Sequence, residues 1–275
     1  MVYQQELRRC RKQFSEDSVH ELRVATRRLM ALFTLLSCLS GGEAGEEARR
    51  ELKRRLKTLN ELRDTHVQRL FLEEQMPRFP ELFLVRDFLQ RRERRLTKSV
   101  DSALDSFKTR KLEKWVATLS NEFSRRPDDS RHQNLLLAEV ARGTSQAFSQ
   151  VVARRRAINP KQPATIHRTR VAFKRFRYMA ESLSPAFTGL GKRELNRLAT
   201  YQRRMGVLQD LEVMRHCLDE FARAHRGTEE LLRPFAREIQ RRSTRSLRSF
   251  LQTADQLLNF WPPPALTTQP EPAWR

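Results

Sequence analysis

A short pattern written twice constrains this chain more than any other feature. His20, Arg23, Arg27 and Arg28 recur as His167, Arg170, Lys174 and Arg175, 147 residues later. A second stretch repeats in the same order: LKTLNELRDTHV (56–67) reads against QRRMGVLQDLEV (202–213), with Asp64 matching Asp210 at an offset of 146. Two motifs in one order, at offsets differing by a single residue, point to an internal duplication of about half the chain.

The repeated pattern has the period of a helix. At about 100° per residue, His167, Arg170, Lys174 and Arg177 fall within roughly a quarter of the circumference, with Tyr178 beside them. Ala172, Phe176, Met179 and Leu183 face the other way, so one side packs and the other presents cations. Residues 18–36 carry the same arrangement through His20, Arg23 and Arg27. On the next helix Arg50, Lys53, Lys57 and Asp64 share one stripe, and Leu52, Leu56, Leu59 and Leu70 lie nearer another.

These residues resemble the CHAD family, the conserved-histidine α-helical domain. That family shows a His-x-x-Arg-x-x-x-(Arg/Lys)-(Arg/Lys) helix in each of two halves, each followed by a helix with Leu-Gly-x-x-(Arg/Gln)-Asp. The second half has Met205-Gly206-Val207-Leu208-Gln209-Asp210; in the first, Asn60 stands at the glycine position. The resemblance covers nearly the whole chain. It implies a pseudo-symmetric helical protein whose central basic surface binds inorganic polyphosphate.

Charge fits such a ligand. Lys plus Arg number 54 against 33 Asp plus Glu, a net +21 that would repel itself unless an anion relieved it. Most of the excess is arginine, whose planar fork grips two phosphate oxygens and keeps its charge. Cys10, Cys38 and Cys217 are odd in number and widely spaced, forming neither a disulfide framework nor a zinc pattern, which suggests a reducing compartment. Residues 1–14 lack the apolar run of a secretory signal, and no stretch approaches the ~18 apolar residues of a membrane span. A cytoplasmic location, with association to polyphosphate granules, is the expectation.

The chain reads as all-α. Helices are expected over 3–14, 18–39, 43–75, 132–157, 164–183, a long segment to about 224, and 228–260. Residues 81–126, free of glycine and proline, make one long helix or two joined by a kink. Four helices per half give two four-helix bundles related by a pseudo-twofold axis, with a central basic channel or groove. The halves are 1–127 and 128–261, divided at the RRPDDSR run, and 262–275 is a flexible proline-rich tail.

Polyphosphate has no bases and no sequence, so recognition comes from repeated charge-assisted contacts. The expected binding set is His20, Arg23, Arg27, Arg28, Arg50, Lys53, Lys57, His167, Arg170, Lys174, Arg175, Arg177, Tyr178 and Arg203. Tyr178 either donates its hydroxyl to phosphate or packs at the bundle edge. Neighbouring arginines should hold the histidines neutral until phosphate arrives. Asp64 and Asp210 are assigned to orienting arginines through ion pairs. No cofactor or metal is expected: no His or Cys lies four residues from His20 or His167 on the same face, and arginine-rich surroundings repel cations. His66, His132, His216 and His225, and arginines such as Arg91, Arg94, Arg95, Arg241 and Arg242, read as incidental or solvated surface.

Two other functions compete with polyphosphate binding. Nonspecific nucleic-acid binding is expected from charge, although the basic face offers only Tyr178 for stacking and no recognised motif is present. An enzyme, such as a polyphosphatase, needs an activated nucleophile or a metal-carboxylate cluster. The chain has no Gly-x-x-x-x-Gly-Lys-(Ser/Thr) loop, no His-Glu-x-x-His, and no Glu-x-Glu-x-Lys of the triphosphate tunnel enzymes to which CHAD domains are sometimes fused. A binding module is the expectation.

Overall fold

The structure, a computed structural model, describes residues 2–40, 43–124, 129–187 and 189–261. The expected tail at 262–275, the Gly41-Gly42 stop and part of the RRPDDSR boundary lie outside these residues. Nine α-helices stand among the described residues: α1 (Val2–Lys12), α2 (Glu16–Ser40), α3 (Glu43–Gln75), α4 (Phe83–Asp105), α5 (Arg110–Ser124), α6 (Ser130–Arg156), α7 (Pro163–Leu183), α8 (Lys192–Ala224) and α9 (Glu229–Thr253). Of the two alternatives for 81–126, one long helix or two, the structure has two, α4 and α5, which brings the expected eight to nine. The break has a cause. Phe107 is buried with the Arg55 guanidinium over its ring, and Arg11 donates to the carbonyl oxygens of Leu104 and Phe107, satisfying groups that a continued helix would have used.

Local chemistry starts and stops the helices that carry the repeated motif. Before α2, the Ser18 N–H donates to the Ser15 hydroxyl and the Ser15 N–H donates to the Ser18 hydroxyl, a reciprocal capping box. Glu16 and Asp17 in the first turn complement the positive end of the helix. Before α7, Pro163 occupies the first turn, where its missing N–H costs nothing. The Thr165 hydroxyl bonds the carbonyls of Asn159 and Gln162, and the Thr169 hydroxyl bonds those of Arg154 and Thr165. These bonds tie the C-terminal end of α6 to the first turns of α7.

The chain groups into two compact units, each drawing on both sides of residue 127. One holds residues 1–23, 55–107 and 204–252, and the other 24–54, 108–203 and 253–275. Helices α2, α3 and α8 therefore contribute to both. The first unit packs around Leu72, Val85, Leu89, Leu211, Met214, Phe221, Phe235 and Ile239. In the second, Phe173 and Phe176 are fully buried; Phe176 meets Phe148 at 4.9 Å and Trp261 at 5.7 Å between ring centroids. Trp261 also donates its indole N–H to Ser145, so the residue next to the expected tail is a packed one. Close helix approach in this unit needs glycine. A Cβ on Gly143 would stand 2.5 Å from the Cys38 sulfur, and one on Gly45 would collide with the Ser37 hydroxyl.

Candidate functional site

The two basic helices repeat in burial as well as in sequence. His20 and His167 are exposed, Arg23 and Arg170 half-buried, Arg27 and Lys174 half-buried, and Arg28 and Arg175 exposed. Beneath them Leu22 and Thr169, Thr26 and Phe173, Leu29 and Phe176, and Ala31 and Tyr178 are buried pair by pair at the same offset. The helices that follow show the same agreement. Both α3 and α8 are 33 residues long, Leu59 and Met205 are buried, and Asp64 and Asp210 are exposed.

In the first unit, His20 and Arg23 lie on α2, and Lys57 is exposed on α3. The guanidinium of Arg23 donates to the carbonyl oxygen of Leu59 at 3.0 Å, fixing its direction. Arg63, on α3, pairs with Glu16 in the first turn of α2. His20 sits below the ordinary histidine value, first because partial enclosure disfavours the charged ring, then because of Arg63, with Arg23 adding to the effect against Glu21 and Asp17. Arg63 was not singled out in the sequence, although it stands at the (Arg/Gln) position just before Asp64 and so carried a signal.

The second unit holds Arg27, Arg28, Arg50, Lys53, Arg203 and all the basic residues of α7. Arg28, Arg50, Lys53 and Arg203 are exposed. Arg49 donates to Glu46 at 2.6 Å, and that carboxyl is held below its usual range by Arg49 first, with Arg175 and Arg50 contributing. Arg175 is pushed below the ordinary arginine value, first by partial enclosure and then by Arg49. Three arginines thus act on one carboxylate, leaving positive charge for an anion to meet. Arg49 is a second residue that the sequence reading passed over, because its intrahelical carboxylate disguised it as ordinary surface.

Arg177 and Tyr178 differ from the rest of the expected set. Arg177 forms an ion pair with Glu181 at 3.4 Å and lies over the Tyr178 ring at 4.8 Å from its centroid. Tyr178 itself is only 6% exposed, which is the packing alternative and not a hydroxyl turned to solvent. Arg23, Arg27, His167, Arg170, Lys174, Asp64 and Asp210 each engage at least one neighbour.

The arrangement suits binding of anions. Among the described residues, no group of three or more His, Cys, Asp or Glu could hold a metal ion, and no helix is long and apolar enough to cross a membrane. The three cysteines are unpaired, and burial pushes the Cys217 thiol up to about 12, where it is a poor nucleophile.

A model of the CHAD domain matches residues 2–219. Among solved structures, the crystal structure of the CHAD domain from the plant Ricinus communis superposes with a TM-score of 0.66 at 19% identity, covering 98% of this chain and 89% of that one. At that identity the likeness concerns the fold. A search of the curated proteins finds no match.

Proposed function

The chain belongs to the CHAD domain family, and on that footing we propose that its two basic helices bind inorganic polyphosphate. The single observation that carries the reading is the in-register repetition of exposed histidine, half-buried arginine, half-buried cation and exposed arginine on α2 and α7. A polymer of identical charged units is matched by identical charged elements presented more than once. The imbalance around Glu46, where Arg49, Arg50 and Arg175 share one carboxylate, supports the same ligand class.

In this reading Arg28, Arg50, Lys53, Lys57, Arg175 and Arg203 contact phosphate from exposed positions, while Arg23, Arg27, Arg170 and Lys174 contact it from half-buried ones. Tyr178 supports Arg177 and is not a ligand. Asp64 and Asp210 orient cations. The protein acts as a binding module and not as a hydrolase, and binding of this kind would bring it to polyphosphate granules in the cytoplasm.

The test is the affinity for long-chain polyphosphate of the wild type and of Arg28→Gln/Arg175→Gln, two equivalent exposed positions. Loss of roughly tenfold or more, with helicity unchanged, supports the proposal; each charge-assisted contact is worth about 1.5–3 kcal/mol before solvent screening. Equal affinity would refute it.

A further inference from the structure

Arginines on the surface of this fold commonly carry a carboxylate three residues away on the same helix. Arg49 has Glu46, Arg54 has Glu51, Arg142 has Glu139 and Arg215 has Glu212. Such pairs mark a solvated face whose charges answer one another.

Helix α9 keeps that habit at Glu230–Arg233 and Glu238–Arg241 and departs from it beyond Arg242. From Ile239 to Thr253 it contains no Asp or Glu, while Arg241, Arg242, Arg245 and Arg248 fall in the same stretch. At about 100° per residue, Arg233, Arg237, Arg241, Arg245 and Arg248 lie within an arc of roughly 120°. All five are exposed, and Leu232, Phe235, Ile239 and Phe250 are buried on the opposite side. Glu230 holds Arg233, and Glu238 holds Arg241 and Arg242. Arg237, Arg245 and Arg248 have no carboxylate partner among the described residues. The stripe runs for about 22 Å at 1.5 Å per residue.

Its sequence is also repeated. Arg94-Arg95-Leu96-Thr97-Lys98-Ser99 on α4 matches Arg241-Arg242-Ser243-Thr244-Arg245-Ser246 on α9 at an offset of 147, the offset of the His-Arg motif. Arg94 and Lys98 are exposed like their counterparts Arg241 and Arg245, whereas Arg95 is exposed and its counterpart Arg242 half-buried. Helix α9 lies beyond residues 2–219, where the family model matches, and carries neither copy of the His-Arg motif.

We infer that the exposed arginine stripe of α9 is a second polyphosphate-binding tract, separate in sequence from the α2 and α7 motifs. The inference rests on the proposed function. The stripe offers a cation at nearly every turn, with Gln240 and Thr244 alongside and no aromatic side chain on which a base could stack. That favours a bare phosphate chain over a nucleic acid. A chain long enough to engage two tracts binds the second at high effective concentration, whereas a chain that fills one tract gains nothing.

The experiment compares affinities for short-chain and long-chain polyphosphate in wild type, in Arg237→Gln/Arg245→Gln/Arg248→Gln, and in Arg54→Gln/Arg142→Gln/Arg215→Gln. The last removes the same charge from carboxylate-paired arginines. Helicity of each is checked by circular dichroism. The α9 variant is expected to lose on the order of tenfold or more of the long-chain advantage, with short-chain affinity nearly unchanged and the control like wild type. The inference is overturned if the α9 variant keeps the advantage, if the control loses as much, or if length-matched RNA shows the same α9-dependent gain. Failure of wild type to bind either chain would instead bring down the reading of α2 and α7, a separate result.

Discussion

The guanidinium of Arg23 on α2 donates to the backbone carbonyl oxygen of Leu59 on α3 at 3.0 Å. A repeated binding cation is thereby also a strut between two helices of the first unit. Arg23→Ala should therefore lower stability as well as affinity, by about 1–2 kcal/mol in a urea titration. Arg28→Ala, at an exposed position, should leave the midpoint within about 0.5 kcal/mol. Equal midpoints for the two variants would remove the strut.

His20 gives a pH dependence with a definite sign. Its folded value lies below the ordinary one, so as pH falls through about 6.5 the unfolded chain takes up the proton first and stability is lost. The loss levels off once folded His20 is itself protonated. Polyphosphate adds negative charge and raises that value, so affinity should grow as pH falls from about 8 to 6. The His20→Ala variant should show a shallower slope in both measurements. A slope unchanged from wild type would place the titrating group elsewhere.

The reciprocal Ser15 and Ser18 bonds fix the start of α2 at Glu16, four residues before His20. Ser18 is 1% exposed and its hydroxyl also donates to the Gln13 carbonyl. Ser18→Ala should cost about 1–2 kcal/mol and lower the Tm. A Tm equal to that of wild type would mean the cap contributes nothing.

Gly143 and Cys38 should behave as a coupled pair. Alanine is the better helix former by about 1 kcal/mol, yet in wild type its Cβ would meet the Cys38 sulfur. Gly143→Ala should be neutral or destabilising alone, and stabilising in a Cys38→Ala background. Additivity of the two changes in a double-mutant cycle would show that sulfur and Cβ do not collide.

The helices were legible because their signals are local. The expected limits of α3, 43 and 75, are those observed, since Pro77 and Pro80 punctuate its end. The basic faces of α2 and α7 were legible for the same reason: a period of 3.6 assigns each side chain a direction. Partners across space leave no such mark. Tyr178 shares its helix sector with the cations and is nevertheless buried, because burial depends on what another helix places over it. The break at Phe107 needs Arg55 and Arg11, from α3 and α1, and neither choice is visible within 81–126. The grouping of residues 1–23 with 55–107 and 204–252 is likewise set by which faces meet. Arg49 and Arg245 show the limit from both sides. One sits beside a carboxylate and belongs to the candidate site, and the other has none and reads as plain surface.

The most direct measurement is a salt series of affinities for long-chain polyphosphate and for length-matched single-stranded DNA and RNA, on wild type and Arg28→Gln/Arg175→Gln. By analogy with counterion release, each phosphate neutralised steepens the log-log slope by somewhat less than one unit. Polyphosphate should bind far more tightly than either nucleic acid at physiological salt, and the variant should show a slope shallower by about one to two units. Equal affinity for all three polymers, with wild-type slopes in the variant, would contradict a polyphosphate site on α2 and α7 and leave only diffuse charge.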